Sequence, residues 1–212
     1  MSGVPVSAPR QTGSMAATEV PVRPSVPITM LATGIVGIGA SFALILDKLA
    51  LLENPDAPLS CNFSVLIGCG TNLNSAQGEV FGFPNPLLGL VFWSAVVTAG
   101  VAMLAGGRFA PWFWAVLGVG VVGAFALVVW FVAQSIFVLR VLCPWCLVTW
   151  AVTIPLFLVV VLHVMQSATA PRWCRTWGAA LFRWIPLLTL LAYVTIAALA
   201  QWQLDVIGEL GL

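Results

Sequence analysis

The sequence predicts an all-α membrane protein with five transmembrane helices. Of the 212 residues, 61% are hydrophobic and 7% are charged, whereas a soluble domain averages about 25% charged residues. Too few polar side chains therefore remain to cover a globule in water. Five apolar segments are each close to the ~20 residues that a helix needs to cross a bilayer, and a backbone in lipid must satisfy its own hydrogen bonds. The predicted spans are residues 28–46, 86–105, 112–138, 142–165 and 183–202.

The segments around these spans define the remaining organisation. Residues 1–27 are rich in Pro, Ser, Ala and Thr and contain no apolar run, which predicts a disordered tail. The first apolar segment is too long for the h-region of a signal peptide, and no small-residue cleavage site follows it, so we interpret it as a retained helix. The membrane domain is then 28–204, with a long loop at 47–85 and a short outer tail at 205–212.

Two glycine-rich stretches lie within the spans, TGIVGIGASF in the first and VLGVGVVGAF in the third. Small residues let the backbones of neighbouring membrane helices approach closely. Both stretches are therefore predicted to lie at helix–helix contacts.

The charged residues predict the orientation of the chain, because cytoplasmic loops carry an excess of Lys and Arg. With the N-terminus in the cytoplasm, Lys48 and Arg140 lie outside. The other basic residues lie inside: Arg10, Arg23, Arg108, Arg172, Arg175 and Arg183. After five crossings the C-terminus is expected outside. The net charge of +1, with no basic stripe, argues against nucleic acid as a partner.

In this orientation, four of the five cysteines lie on the outer, oxidising face. Cys61 and Cys69 lie in the long loop, Cys143 and Cys146 lie at the outer end of the fourth span, and Cys174 alone lies in an inner loop. Disulfides form and persist on the oxidising side of a membrane, so this distribution favours a disulfide system. The alternative is a metal held by the four outer thiolates, although C-x7-C is a weak metal spacing.

The stretch RVLCPWCLVTW, residues 140–150, places a CxxC at the start of the fourth span. Cys143 and Cys146 are three residues apart and therefore share one face of a helix. Pro144 fits the first turn, where its missing N–H costs nothing. Unpaired N–H groups and the positive end of the helix dipole favour the reactive thiolate there. The motif predicts redox chemistry, with inert packing as the alternative.

Aromatic side chains accompany this CxxC at the membrane boundary: Trp145, Trp150, Phe81, Phe83 and Trp93. An electron acceptor that reaches the cysteines from the bilayer must be apolar, and aromatic neighbours suit a planar one. A quinone fits both requirements. The alternative for these residues is the interfacial aromatic belt that many membrane proteins have.

The segment between Cys69 and the second span carries another candidate residue. NSAQGEVFG predicts a short surface helix that ends at Gly82 and Pro84. Pro84 and Pro86 bracket Asn85, whose amide can face the membrane pocket. Alternatively, Asn85 is a turn or helix-cap residue, because Asn favours both positions.

Together, these motifs resemble the bacterial form of the vitamin K epoxide reductase family. The resemblance rests on C-x7-C in the first outer loop, Ser75 six residues after Cys69, FGFPNPLLG at the start of the second span and CPWC at the start of the fourth. It covers residues 60–155, and the five-helix topology extends it over most of the chain. It implies a four-helix bundle around a quinone, with the fifth helix outside the bundle.

The resemblance also implies an electron relay. A thioredoxin-like (DsbA-like) thiol oxidase on the outer face passes electrons to Cys61 and Cys69. Cys69 then exchanges with Cys143, and Cys146 delivers the electrons to the quinone. Because exchange passes through mixed disulfides, the loop pair is expected to move and the helix pair to stay fixed.

The quinone contacts of the family match positions in this sequence. Asn85 matches a quinone-contacting asparagine, and Ser75 matches a serine that lines the site, with a helix cap as its alternative. Trp150 stands where some relatives carry a tyrosine, so its indole N–H is the expected donor. The predicted cofactor site also contains further aromatic residues: Phe81, Phe83 and Trp145.

The motifs and the resemblance together imply a thiol:quinone oxidoreductase of the bacterial inner membrane that supports disulfide formation in exported proteins. Menaquinone is the expected quinone, with ubiquinone as the alternative. Some relatives carry a fused thioredoxin-like domain after the fifth helix, whereas here a separate partner is expected. Two other classes remain open. One is a DsbB-type quinone reductase on a different fold, in which the CxxC comes first; the other is a non-enzymatic membrane protein with structural disulfides or a metal site.

Overall fold

The computed structural model describes residues 22–64, 66–167 and 170–209. The described chain folds into helices: α1 (Ser25–Glu53), α2 (Gly70–Asn74), α3 (Asn85–Leu104), α4 (Pro111–Ala133), α5 (Pro144–Met165), α6 (Arg172–Phe182), α7 (Ile185–Leu204) and α8 (Val206–Glu209). A 3₁₀ turn, Ala76–Glu79, follows α2, and a π-helical turn, Gln134–Leu139, continues α4. Most of the predicted disordered tail, residues 1–21, lies outside the described residues, as do residues 210–212 of the predicted outer tail.

Within the described residues, five helices are long and apolar enough to cross a membrane: α1, α3, α4 with its π turn, α5 and α7. The predicted all-α membrane fold with five transmembrane helices is confirmed. Helix α1 is longer than predicted, because it begins at Ser25, inside the predicted tail, and continues to Glu53, inside the predicted loop. This extension carries Asp47 and Lys48 as buried helical residues.

The transmembrane helices pack around α1 and α5. Helix α1 lies against α3 and α5, α4 lies against α5, and α7 lies against α5 and the π turn. The close approach of α1 and α3 depends on glycine. A Cβ atom at Gly37 would collide with the indole ring of Trp93, and one at Gly34 would lie 2.5 Å from a methyl group of Val97. The first glycine-rich stretch therefore forms the predicted helix contact.

The second glycine-rich stretch behaves differently. Gly118 lies opposite Val164 of α5, but a Cβ atom at Gly120 or Gly123 would meet no described atom within 4 Å. Both glycines line a cavity between the helices. The predicted helix contact is therefore wrong for Gly120 and Gly123, which leave open space in the bundle instead of permitting close packing.

A short helix, α6, occupies the segment that the hydropathy pattern assigns to an inner loop. It packs against α5 and exposes Trp173 and Trp177. Arg172, Cys174 and Arg175 lie in its first turns. With 11 residues, α6 is far shorter than the ~20 residues of a membrane span, so the hydropathy pattern does not mark it as one.

Candidate active site

The CxxC lies where α5 begins, as the sequence predicts. Cys143 is the N-cap residue, and its Sγ accepts a hydrogen bond from the backbone N–H of Cys146 at 3.3 Å. Pro144 occupies the first turn, where its missing N–H leaves no gap in the helix. Cys143 therefore precedes the helix, and Cys146 lies within its first turn.

The start of α5 favours the thiolate of Cys143. A hydrogen bond from the Cys146 side chain lowers the pKa of Cys143, and the backbone N–H groups of Cys146 and Trp145 lower it further. Burial and the Asp47 carboxylate act in the opposite direction, but the net shift of the pKa is downward. Because the thiolate is the reactive form of cysteine, these hydrogen bonds favour reaction at Cys143.

The long loop is attached to the residues that immediately precede the CxxC. The backbone N–H of Leu142 donates to the carbonyl of Leu66 at 2.8 Å, and the N–H of Gly68 donates to the carbonyl of Leu142 at 3.0 Å. Within the loop, the N–H of Cys69 donates to the side-chain oxygen of Asn62 at 2.9 Å. These bonds fix the position of Cys69 relative to α5.

The two cysteine pairs meet at this junction. Cys61 and Cys69 form a disulfide, whereas Cys143 and Cys146 are free. The Sγ atoms of Cys69 and Cys143 lie 3.0 Å apart, and both residues are fully buried. In thiol–disulfide exchange a thiolate attacks one sulfur of a disulfide. A free thiol and a disulfide sulfur are therefore in contact, as exchange between the two pairs requires.

A cavity of about 370 Å³ lies beside the CxxC, between α1, α3, α4 and α5. This volume falls within the range of small-molecule sites, about 300–1,000 Å³. The wall includes Cys146 and three residues of the predicted cofactor site, Trp150, Phe81 and Asn85. The bundle thus brings the deeper cysteine and these predicted residues to one space.

Two asparagine amides in the cavity wall differ in their hydrogen bonds. The Nδ2 of Asn85 donates to the carbonyl of Gln77 at 2.6 Å, and its Oδ1 accepts from the N–H of Val80 at 3.2 Å. Asn85 therefore holds a turn while it lines the cavity. The Nδ2 of Asn72 is buried and has no hydrogen-bond partner among the described residues. The sequence pattern does not single out Asn72.

Three residues of the predicted cofactor site lie outside this wall. Ser75 caps the 3₁₀ turn, because its Oγ accepts from the N–H of Gly78 at 3.2 Å, as its alternative role requires. Phe83 is exposed, and Trp145 donates its indole N–H to the Oγ of Ser60 at 3.3 Å. Contact of these three residues with a quinone remains a prediction.

Two buried charged residues at the end of α1 complete the site. The Oδ2 of Asp47 lies 3.1 Å from the Sγ of Cys61. The Nζ of Lys48 donates to the carbonyl of Leu73 at 2.8 Å and pairs with Glu79 at 3.0 Å, so it holds α2 and the 3₁₀ turn against α1. Both charges fall within the predicted loop, residues 47–85. The sequence feature that could have placed them in α1 is their position, because Asp47 and Lys48 directly follow the apolar segment.

The fold and the site define a multi-pass membrane protein in which a reduced CxxC touches a disulfide beside an apolar cavity. A model of the vitamin K epoxide reductase family matches residues 28–161, which is more than half of the chain. The protein therefore belongs to the vitamin K epoxide reductase family, and this membership supports a membrane oxidoreductase. The unrelated DsbB-type fold is set aside by the same match. A search of curated proteins found no significant match.

Proposed function

We propose that this protein is a membrane thiol:quinone oxidoreductase that reoxidises a separate thioredoxin-like (DsbA-like) thiol oxidase and so supports disulfide formation in exported proteins. Electrons pass from the partner to Cys61 and Cys69, then to Cys143 and Cys146, and finally to a quinone. The observation that carries the proposal is the 3.0 Å contact between the sulfurs of Cys69 and Cys143, next to a cavity that Cys146 lines.

The observed redox state matches the stage after the loop pair has passed its electrons to the helix pair. In the preceding steps, the Cys69 thiolate attacks Cys143 of the Cys143–Cys146 disulfide, and Cys146 leaves. Cys61 then attacks Cys69, and Cys143 leaves. Each attack forms one S–S bond and breaks another, so two electrons move from the loop pair to the helix pair without a further reductant.

The residues that line the cavity suit a quinone. Aromatic side chains form part of its wall: Phe81, Trp93 and Trp150. The unpartnered Nδ2 of Asn72 is available to donate a hydrogen bond to a carbonyl oxygen. A bound quinone would accept two electrons and two protons and leave as a quinol. These two electrons and two protons would come from the thiols of Cys143 and Cys146, whose S–S bond forms as the quinone becomes quinol. The chain presents the Cys146 thiol at the cavity wall.

The partner can reach the loop pair only when the loop moves. Cys61 is 1% exposed and Cys69 is 0% exposed, so the thiol of another protein cannot attack them in the observed position. Two backbone hydrogen bonds join Leu142 to Leu66 and Gly68, and apolar residues of α1 pack against the same cysteines. Both sets of contacts must open before the disulfide is uncovered. We therefore expect the loop to alternate between α5 and the partner.

The proposed setting is the bacterial inner membrane, with the N-terminus in the cytoplasm and the redox cysteines outside. The distribution of basic residues supports this orientation, because six of the eight Lys and Arg residues then lie inside. On this face disulfides persist. Menaquinone is the first acceptor to test, and ubiquinone is the second.

The test follows quinone absorbance of the purified protein in detergent, with dithiothreitol as the thiol donor. The wild type is expected to reduce the quinone. Cys146→Ser is expected to lose turnover to the background without protein, because Cys143 alone cannot close a disulfide at the cavity. Cys174→Ser is the matched control, since this cysteine lies on α6, and it is expected to retain the wild-type rate.

Retained turnover in Cys146→Ser would contradict the mechanism. A wild type that reduces no quinone while Cys61 and Cys69 stay oxidised would indicate a membrane protein with structural disulfides. Metal retained by the reduced protein would instead support the thiolate metal site.

A further inference from the structure

Asp47 is a buried acid in contact with a reacting sulfur. Its side chain lies near the end of α1 and is 7% exposed, and its Oδ2 lies 3.1 Å from the Sγ of Cys61. Ser60 holds the carboxylate, because its backbone N–H donates to Oδ1 at 3.2 Å and its hydroxyl donates to Oδ2 at 3.0 Å. In the disulfide state Cys61 carries no thiol proton. A proton can therefore pass between Asp47 and Cys61 only when Cys61 is reduced.

Cys61 and Cys143 differ in the groups that would stabilise a negative charge on sulfur. Cys143 accepts a hydrogen bond from the N–H of Cys146, whereas the described hydrogen-bonding group beside the Cys61 sulfur is the Asp47 carboxylate. A negative charge and burial both disfavour a neighbouring thiolate. Cys61 therefore needs a local acceptor for its proton when it attacks and a local donor when it leaves.

We propose that Asp47 is the general acid–base for Cys61, an inference that rests on the proposed relay. When Cys61 attacks Cys69 of a Cys69–Cys143 disulfide, its thiol proton moves to Asp47. The Cys61–Cys69 bond forms, the Cys69–Cys143 bond breaks, and Cys143 leaves as a thiolate. Asp47 thus acts as the base in the step that produces the observed redox state.

In the following cycle Asp47 acts as the acid. The partner's first thiolate attacks Cys61, and Cys69 leaves. The partner's second thiolate then attacks the partner sulfur that is bound to Cys61, the partner disulfide forms, and Cys61 leaves with the proton from Asp47. Asp47 accepts one proton and returns one in each turnover, while electrons move only between sulfur atoms.

Ser60 connects this carboxylate with the outer surface. The residue is exposed, its hydroxyl donates to Asp47, and the same hydroxyl accepts from the indole N–H of Trp145 at 3.3 Å. A proton on Asp47 can therefore exchange with water through one hydroxyl group while the sulfur of Cys61 stays buried.

The test separates the loop chemistry from the quinone step. Turnover with dithiothreitol and quinone is compared with a single turnover in which pre-reduced protein is mixed with quinone. General acid–base catalysis contributes about 10²–10⁴-fold to a rate, so Asp47→Asn is expected to slow donor-dependent turnover about 100-fold without slowing the single turnover. Because resolution by Cys61 is the slowed step, the Cys69–Cys143 disulfide should accumulate, as measured by mass spectrometry after acid quenching.

Two further variants make the result specific. Asp47→Glu keeps a carboxylate and is expected to recover part of the rate. Glu53→Gln, at an exposed position on the same helix, is the matched control and is expected to behave as the wild type.

Asp47→Asn that turns over at the wild-type rate, without the mixed disulfide, would overturn the role of Asp47 and leave the proposed function intact. Equal slowing of the quinone single turnover would also overturn it, because the carboxylate would then support the whole site instead of one sulfur. If the pre-reduced wild type fails to reduce quinone, the proposed function itself is wrong.

Discussion

The two cysteine pairs carry the same chemical groups in opposite surroundings. Cys143 caps α5 and accepts hydrogen bonds that lower its pKa, whereas Cys61 lies beside a buried carboxylate. A thiol with a lower pKa is the better leaving group in disulfide exchange. When Cys61 attacks Cys69, the leaving sulfur is Cys143, so this difference favours electron transfer from the loop to the helix.

The pairs also differ in how the chain holds them. Cys146 lies within the first turn of a 22-residue helix. The loop pair is joined to that helix through Leu142, which bonds to Leu66 and Gly68. A net hydrogen bond contributes only about 0.5–1.5 kcal/mol, so these two bonds hold the loop less firmly than the helix holds Cys146. We therefore expect the loop pair to move between its partners while the helix pair stays fixed.

Removal of single cysteines is expected to have the largest effect on quinone reduction. Cys143→Ser should abolish quinone reduction with every thiol donor, because electrons then cannot reach Cys146 by exchange. Cys61→Ser should abolish turnover with a protein donor and leave a residual rate with dithiothreitol, which is small enough to reach Cys143 when the loop opens. Quinone absorbance measures both variants, and Cys174→Ser serves as the control.

Cys61→Ser also identifies the exchanging sulfurs. Cys69 can still attack Cys143, but Cys61 is no longer present to resolve the product, so a Cys69–Cys143 disulfide should accumulate. Mass spectrometry of alkylated peptides detects it. A disulfide between Cys69 and Cys146 would contradict the order of the relay, since the 3.0 Å contact involves Cys143.

Structural features that depend on neighbouring residues can be predicted from the sequence. Hydropathy locates the five spans, because lipid imposes length and composition on each helix separately. The spacing of CPWC and its Pro144 locate the start of α5, because capping involves neighbouring residues. Both predictions use information within a single segment of the chain.

The roles of Asp47 and Asn72 depend instead on contacts between distant segments. Asp47 meets Cys61 only because α1 continues beyond the apolar run and the loop folds back onto its end. Asn72 faces a cavity that four helices enclose. The structural role of a glycine is not evident from the sequence for the same reason, since Gly37 permits close helix packing whereas Gly123 borders open space. Sequence spacing does not distinguish these arrangements.

A smaller effect is expected at the cavity. Asn72 belongs to the same loop as Cys61 and Cys69, but it lines the cavity proposed for the quinone. Asn72→Leu removes the unpartnered donor and is expected to raise the KM for quinone about 3- to 10-fold, since one net hydrogen bond contributes about 0.5–1.5 kcal/mol. A buried unsatisfied donor costs about 1–3 kcal/mol. The same variant should therefore unfold at a higher temperature in the absence of quinone.

Thr71→Leu provides the matched control for this prediction. Thr71 is exposed and precedes Asn72 on α2, so its replacement should leave the KM for quinone unchanged. An unchanged KM in Asn72→Leu would show that the amide does not contact the quinone. A lower unfolding temperature would show that it has a partner in the folded protein.

The smallest effect concerns the thiolate of Cys143 itself. The Cys146 side chain is the largest contribution that lowers the pKa of Cys143, so Cys146→Ala should raise that pKa, whereas Cys146→Ser keeps a hydroxyl donor and should raise it less. Both variants are made in a protein that also carries Cys61→Ser, Cys69→Ser and Cys174→Ser, so that Cys143 is the one remaining cysteine of the five. The ultraviolet absorbance of the thiolate is followed as pH increases.

The direction of the pKa difference between the two variants shows whether the side chain at position 146 acts on Cys143. A cysteine becomes a thiolate as pH rises through its pKa, so between the two midpoints the serine variant should contain more thiolate than the alanine variant. Identical midpoints would mean that the backbone N–H groups at the start of α5 act alone on Cys143. In that case the direction of exchange would depend on the helix terminus and on Asp47, and Cys146 would contribute only as the thiol at the cavity wall.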